Sequence, residues 1–281
     1  MPHLPRLRAP ALLALILPLA ASVPVLAQKP AAGLSALEDI QSEFDAVPCE
    51  DKQRLAAVRA LFEKAGAPAA EIKLDSHGHV DNLVVVKPGA SAETVVVGAH
   101  YDKTADGCGA IDNWTGQVAL THLYKTLRDV SLKKTLVFVA FGREEKGLVG
   151  SRAMTKAMGE EEVARTCAMV NIDSLGLGPP QVADNMSSKK LADFAGEVAK
   201  EMEIPFARAR IARGNSDSSA FVARKIPAVT IHGLNDDWMK ILHSRHDQPK
   251  KVNATSVYLG YRLALGMVAR LDQAACDAYR Q

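Results

Sequence analysis

The chain has 281 residues with 34 basic and 32 acidic side chains, a formal net charge of +2. So even a balance excludes a binder held to nucleic acid by a basic face, and the length suits one large domain with a sizeable core. Residues 1–27 are not expected in that domain. They run from a basic start (Arg6, Arg8) through an apolar stretch, Ala11–Ala21, to a small-residue end at Val25-Leu26-Ala27, the pattern of a removable export signal. The apolar stretch is too short for a bilayer, which takes about 20 residues. Residues 28–281 are then the working domain, periplasmic or secreted, with no segment for stable membrane insertion once the signal is gone. The sequence is silent on oligomeric state.

In chain order, residues 34–46 and 51–66 carry apolar residues at helical spacing; Ala57, Leu61 and Phe62 share a face, and Gly66 and Pro68 stop the second helix. Short β-type runs follow at Glu71–Leu74, Asn82–Val86 and Thr94–Gly98, the first two separated by turn residues 75–79. A helix is expected over 113–129 and a buried strand over Thr135–Phe141. Next come a helix over 150–158, a strand over 168–172, a helix over 187–202 and a strand over 228–231. A long amphipathic helix over 254–275 closes the chain. Apolar strands alternating with helices predict an α/β fold, a single domain whose mostly parallel central sheet has helices on both faces. Such a sheet gathers its reactive groups in loops at the carboxyl ends of its strands.

Five segments deliver a carboxylate or imidazole at such ends. VVVGAHYD brings His100 and Asp102, and GAIDNWTG brings Asp112 ahead of a helix. Glu144 and Glu145 follow TLVFVAF, Asp173 follows AMVNI, and His243 sits in ILHSRHD. Imidazole nitrogen and carboxylate oxygen are zinc ligands. A carboxylate such as Asp112 can bridge two ions about 3.5–4 Å apart. The others divide, His100 and Asp173 to one ion and Glu145 and His243 to its neighbour. Glu144, beside a ligand, is placed to be the base for an attacking water. Asp102, two residues past His100, is placed to accept the other imidazole N–H and orient that ring.

The ordered motifs HYD, GAIDN, GREEKGLVGSR, NIDSLG, NSDSSAF and ILHSRHD, spread over roughly residues 80–275, resemble the co-catalytic zinc exopeptidase family containing bacterial leucyl aminopeptidases. Glutamate carboxypeptidases share these motifs and glutaminyl cyclases share the fold. The resemblance implies a peptide hydrolase with two zinc ions per chain, acting on peptide ends and most simply an aminopeptidase. It places the bridging aspartate on Asp112, the base on Glu144 and the last ligand on His243 rather than His246. A carboxypeptidase, with Arg210 and Arg213 in a basic pocket, and a single-zinc cyclase are alternatives on the same scaffold. A non-catalytic binding ectodomain is the alternative of another class, against which the retention of Glu144 and all five ligand candidates speaks.

The chain also departs from that family. Ser218 stands where members often carry a histidine, and no tyrosine lies between Ile211 and Phe221 to help the reacting oxyanion. Trp114 replaces a small residue and either lines the pocket or packs its helix. His77 and His79 read as solvated turn residues, His232 as structural or pocket-lining, His246 as a loop neighbour of His243, and Asp217 as a pocket or turn residue. Ser216, Ser218 and Ser219 lack the GxSxG elbow of a serine nucleophile, and the chain has no HExxH helix. Cys49, Cys108, Cys167 and Cys276 are too widely spaced for a zinc finger. Export permits disulfides, and the favoured pairing staples the ends of the domain, Cys49 to Cys276.

Overall fold

The structure, a computed structural model, describes Met1 and residues 33–212 and 214–280. The expected export signal, apart from Met1, and Arg213 lie outside the described residues.

Two helices open the domain, α1 (Leu37–Ser42) and α2 (Asp51–Lys64), followed by a hairpin of β1 (Ile72–His77) and β2 (Val80–Lys87). The ladder runs right up to Gly78 at φ 67°, so the turn is tighter than the residues 75–79 expected from sequence. Then come β3 (Thr94–His100), α3 (Thr115–Leu127), β4 (Thr135–Phe141), α4 (Val149–Ala157), α5 (Glu160–Arg165) and β5 (Thr166–Ile172). The remainder is β6 (Gln181–Ala183), α6 (Lys189–Glu201), β7 (Ala207–Ala209), α7 (Ser218–Ala223), β8 (Ala228–His232) and α8 (Ala254–Gln273). The expected helix over 113–129 begins only at Thr115, because the backbone of the preceding turn is non-helical at Asp112 and Asn113.

The sheet order is β1-β2-β4-β3-β5-β8-β6-β7. The central strands β4, β3, β5 and β8 run parallel, while β2 against β4 and β6 against β8 are antiparallel. The parallel strands are rich in β-branched and aromatic residues and are buried on both faces, β5 along its whole length, as a doubly covered sheet requires. On one face α3 and α8 pack over Val95, Val97, Phe138 and Val170. The buried residues of α8 include Val257, Tyr261, Ala264, Val268 and Leu271, one stripe of helical period. Each fully buried Val or Leu there contributes roughly 1.5–3 kcal/mol. Asn253 caps this helix by accepting the Ser256 N–H. On the other face Phe141, Met169 and Phe221 form a smaller core beneath α7 and α4. Among the described residues no helix is long and apolar enough to cross a membrane.

The disulfides are Cys49–Cys108 and Cys167–Cys276, not the end-to-end staple. The reason is the polarity of a parallel sheet. Cys167 begins β5, and the tail after α8 returns to that amino end. Cys108 follows β3 at the opposite, carboxyl end of the sheet, and Cys49, in the connection between α1 and α2, meets it there.

Candidate metal centre

β3, β4 and β5 are adjacent and parallel, so His100, the Glu144-Glu145 pair and Asp173 emerge side by side at one edge. Asp112 reaches them from the loop before α3, and His243 from the loop before α8. His100 Nε2 lies 3.1 Å from Asp112 Oδ1 and 3.4 Å from Asp173 Oδ1. His243 Nε2 lies 3.0 Å from Asp112 Oδ2 and 3.3 Å from Glu145 Oε2. Two triads result, His100–Asp112–Asp173 and Asp112–Glu145–His243, each with ligand atoms within 4.8 Å of one another. Asp112 belongs to both and offers one oxygen to each. Glu144 belongs to neither; its Oε2 is 4.0 Å from His100 Nε2. The structure thus brings together all five residues expected as ligands, with the expected base beside them.

The supports explain how the loops hold this shape. Asp247, 2% exposed, accepts the backbone N–H of Ile111 at 2.7 Å and of Asp112 at 3.1 Å. Gly109 turns at φ 59°, and a Cβ there would meet the Asp112 carbonyl at 2.8 Å, so the turn demands glycine. The Asn113 amide donates to the Ile172 carbonyl and accepts from Ser174 N–H, tying the turn to β5. The buried Arg54 guanidinium donates to the carbonyls of Tyr101, Cys108 and Gly109 and stacks over Trp114. Ser216 donates to Asp173 Oδ2 at 2.5 Å and in turn accepts from Asn171 at 2.6 Å. Asp102 differs in part from expectation. Its carboxylate accepts the backbone N–H of Glu144 at 2.8 Å and of Glu145 at 3.2 Å. His100 Nδ1 instead meets the Asp102 backbone carbonyl at 3.2 Å, with the carboxylate at 3.6 Å. Asp102 therefore orients the glutamate pair as well as the ring.

Asp247, Ser216 and Arg54 escaped the sequence reading. Two of them lay inside motifs already singled out, Asp247 in the HSRHD run and Ser216 in NSDSSAF. Trp114 is 2% exposed and donates to the Glu43 carbonyl, so it packs and does not line the cleft. His77 pairs with Asp75 at 2.8 Å, while His79, His246 and Arg210 are exposed and outside the cleft. Ser218 is engaged by the Met186 carbonyl and Thr230.

Electrostatics test whether this donor set fits metal. Burial, reinforced by Asp112, pushes Glu145 up to about 8. Burial also pushes Asp217 up to about 7 and drives Glu144 well above the carboxylate range, with Asp173 adding repulsion in both. Against burial, Glu144 and Asp173 hold His100 well above the ordinary imidazole value. The hydrogen bond that His243 donates to Asp112 raises its ring to about 9. Beside burial, mutual repulsion among these carboxylates and their pull on the two imidazoles mark a cluster rich in negative charge, which a cation would offset. Glu145 Oε1 is a buried acceptor with no partner among the described residues. Imidazoles and carboxylates suit zinc, and divalent ions would replace the protons this cluster otherwise draws in. The donor set fits.

A cavity of about 670 Å³ opens from the centre, walled by Leu148, Met186, Ile211, Leu234, Trp238 and Leu242.

Comparison with known proteins bears on family and fold. The "Probable leucine aminopeptidase" of Trichophyton verrucosum is 25% identical over 240 residues, covering 78% of this chain and 65% of its own length. The chain thus spans under two thirds of that relative. Among solved structures, a zinc aminopeptidase from Bacillus subtilis superposes with TM-score 0.62 at 20% identity, covering 72% of this chain and 53% of that one. An Acidobacteriales bacterium glutaminyl cyclase gives 0.72 at 18% identity, covering 90% and 99%. These two are likenesses of fold. The family model described as Peptidase family M28 matches residues 82–267, a span that contains every residue of the two triads, and the chain belongs to that family.

Proposed function

We propose that the protein is an exported zinc-dependent exopeptidase, an aminopeptidase, holding two zinc ions per chain. One observation carries the reading: Asp112 presents one carboxylate oxygen to each of two imidazoles, at the shared corner of two ligand triads. His100, Asp112 and Asp173 would hold one ion and Asp112, Glu145 and His243 the other. Bound there, zinc supplies Lewis acidity toward the scissile carbonyl and lowers the pKa of an attacking water.

The chain's own residues do the rest. Glu144 takes a proton from the attacking water and returns it to the departing amine. Asp102 fixes the backbone under Glu144 and Glu145, so the base keeps its place relative to its neighbour ligand. The crowd of carboxylates gives a free, protonated substrate amine a favourable end of the cleft, which favours release from the amino terminus. Two disulfides among the described residues support an oxidising compartment, in keeping with the leader-like residues 1–27.

Hydrolysis of free and N-acetylated peptides, with zinc and with chelator, tests the reading. Glu144→Gln should lower kcat by about 10²–10⁴-fold while the variant still binds zinc. Equal cleavage of blocked peptides would remove the aminopeptidase assignment. One zinc per chain with pyroglutamate as product would select the cyclase instead.

A further inference from the structure

Among the buried polar groups of the cleft that this chemistry leaves unused, His232 has a side-chain nitrogen without a partner among the described residues. His232 ends β8, is 3% exposed and lines the cavity. Its Nδ1 lies 3.2 Å from the backbone nitrogen of Leu234, which donates to it. A backbone N–H is only ever a donor, so Nδ1 carries the lone pair and the ring proton sits on Nε2. That Nε2 is buried with no hydrogen-bond partner among the described residues. In this tautomer Nε2 has no lone pair to give a metal or a proton; it can only donate. Burial, opposed by the charge of Asp173, pushes the ring down to about 4 and keeps it neutral at neutral pH.

Its position follows from sheet order. β8 lies beside β5 on the side away from β3, and the register sets Ile231 opposite Ile172. His232 therefore stands next to Asp173, farther from the centre by one strand spacing of about 4.8 Å. Ala183 at the end of β6, with Met186, Ile211 and Leu234, continues the wall beyond it. This section is apolar, and the side chain of a residue seated at the centre would extend along it. A donor without a partner in such a wall costs free energy until a ligand completes it.

We propose that His232 determines specificity: its Nε2–H reads an uncharged hydrogen-bond acceptor on the side chain of the residue to be released. The substrate class is peptides beginning with glutamine or asparagine, in preference to aliphatic residues of the same size. Lysine would set donor against donor. Glutamate would bring a further negative charge toward Asp112, Glu144, Glu145 and Asp173. The proposal rests on the aminopeptidase reading above.

The test uses zinc-loaded wild type, His232→Leu and His232→Gln with the dipeptides Gln-Ala, Leu-Ala and Glu-Ala. In wild type, kcat/KM for Gln-Ala should exceed that for Leu-Ala by at least about tenfold. His232→Leu should bring the ratio near unity through loss on Gln-Ala alone, and His232→Gln, which keeps an N–H donor, should restore part of it. Calorimetric binding of free glutamine and leucine supplies a readout independent of turnover. Equal kcat/KM for Gln-Ala and Leu-Ala in wild type, or an unchanged ratio in a folded His232→Leu protein, overturns the proposal. If no dipeptide is cleaved yet glutamine binds tighter than leucine in a His232-dependent way, only the peptidase reading falls. If His232→Leu does not fold, wild-type calorimetry decides: a preference for glutamine below about threefold refutes the assignment.

Discussion

Replacing both Cys49 and Cys108 with serine removes a cross-link that closes 59 residues. Chain-entropy arithmetic puts the loss at about 4 kcal/mol for such a loop. At about 2–4 °C per kcal/mol for a domain of this size, the melting temperature should fall by about 8–16 °C. The Cys167–Cys276 bridge closes 109 residues, so the same arithmetic makes its loss about 0.5 kcal/mol larger. The two should diverge on metal. Cys108 lies in the loop that leads through Gly109 to Asp112, and its N–H donates to the Asp247 carbonyl. Cys167 sits at the far end of β5. Calorimetric melting of chelated and zinc-loaded protein separates the two effects, since zinc at a hundredfold its Kd should add about 2.7 kcal/mol for each ion bound by an intact centre. The expected result is a smaller zinc-induced gain for the Cys49/Cys108 variant and an undiminished gain for the Cys167/Cys276 variant. Equal gains in both, or a drop in melting temperature below about 2 °C for either, would refute the reasoning.

Asp247→Ala leaves the Ile111 and Asp112 N–H groups without their acceptor. It should weaken zinc binding by about 10–100-fold in chelator competition, with the fold retained by circular dichroism. Arg54→Met strands the carbonyls of Tyr101, Cys108 and Gly109 in the interior, and urea unfolding should show a loss of about 3–5 kcal/mol. His232 gives the pH dependence. Its folded-state value of about 4 lies below the unfolded 6.5 because burial disfavours the charged ring. The unfolded chain therefore binds the extra proton between those values, so stability present above pH 6.5 is lost as pH falls toward 4. In chelated protein, wild type should lose about 3 kcal/mol more than His232→Leu over that window; parallel losses would contradict it.

The centre was legible where local pattern and chemistry coincide. TLVFVAF followed by two glutamates, or VVVGAH followed by Asp102, marks a buried strand ending in a polar group, and a parallel sheet must gather such ends. The supports were not legible, because their partners are remote. Arg54 in α2 reads as an ordinary helix-face cation until the loop at 101–109 folds over it. NSDSSAF marks the segment of Ser216, but not that this hydroxyl donates to Asp173, 43 residues away. β6 and β7 are three residues each and were missed, since so short a run carries no periodicity and exists only by pairing with β8 and with each other. The cysteine pairing failed for a related reason: sequence position near the ends of a chain says nothing about which end of a strand a loop visits.

Strand order also divides labour. The reactive carboxylates and His100 ride on β3, β4 and β5, in the middle of the sheet, where neighbours on both sides fix the backbone. The apolar wall of the cavity hangs on β8 and β6, toward one margin, and on the turns that follow them. On the proposed reading, preference for one amino acid over another would be retuned at that margin by single replacements, while the ligand cage stays as it is.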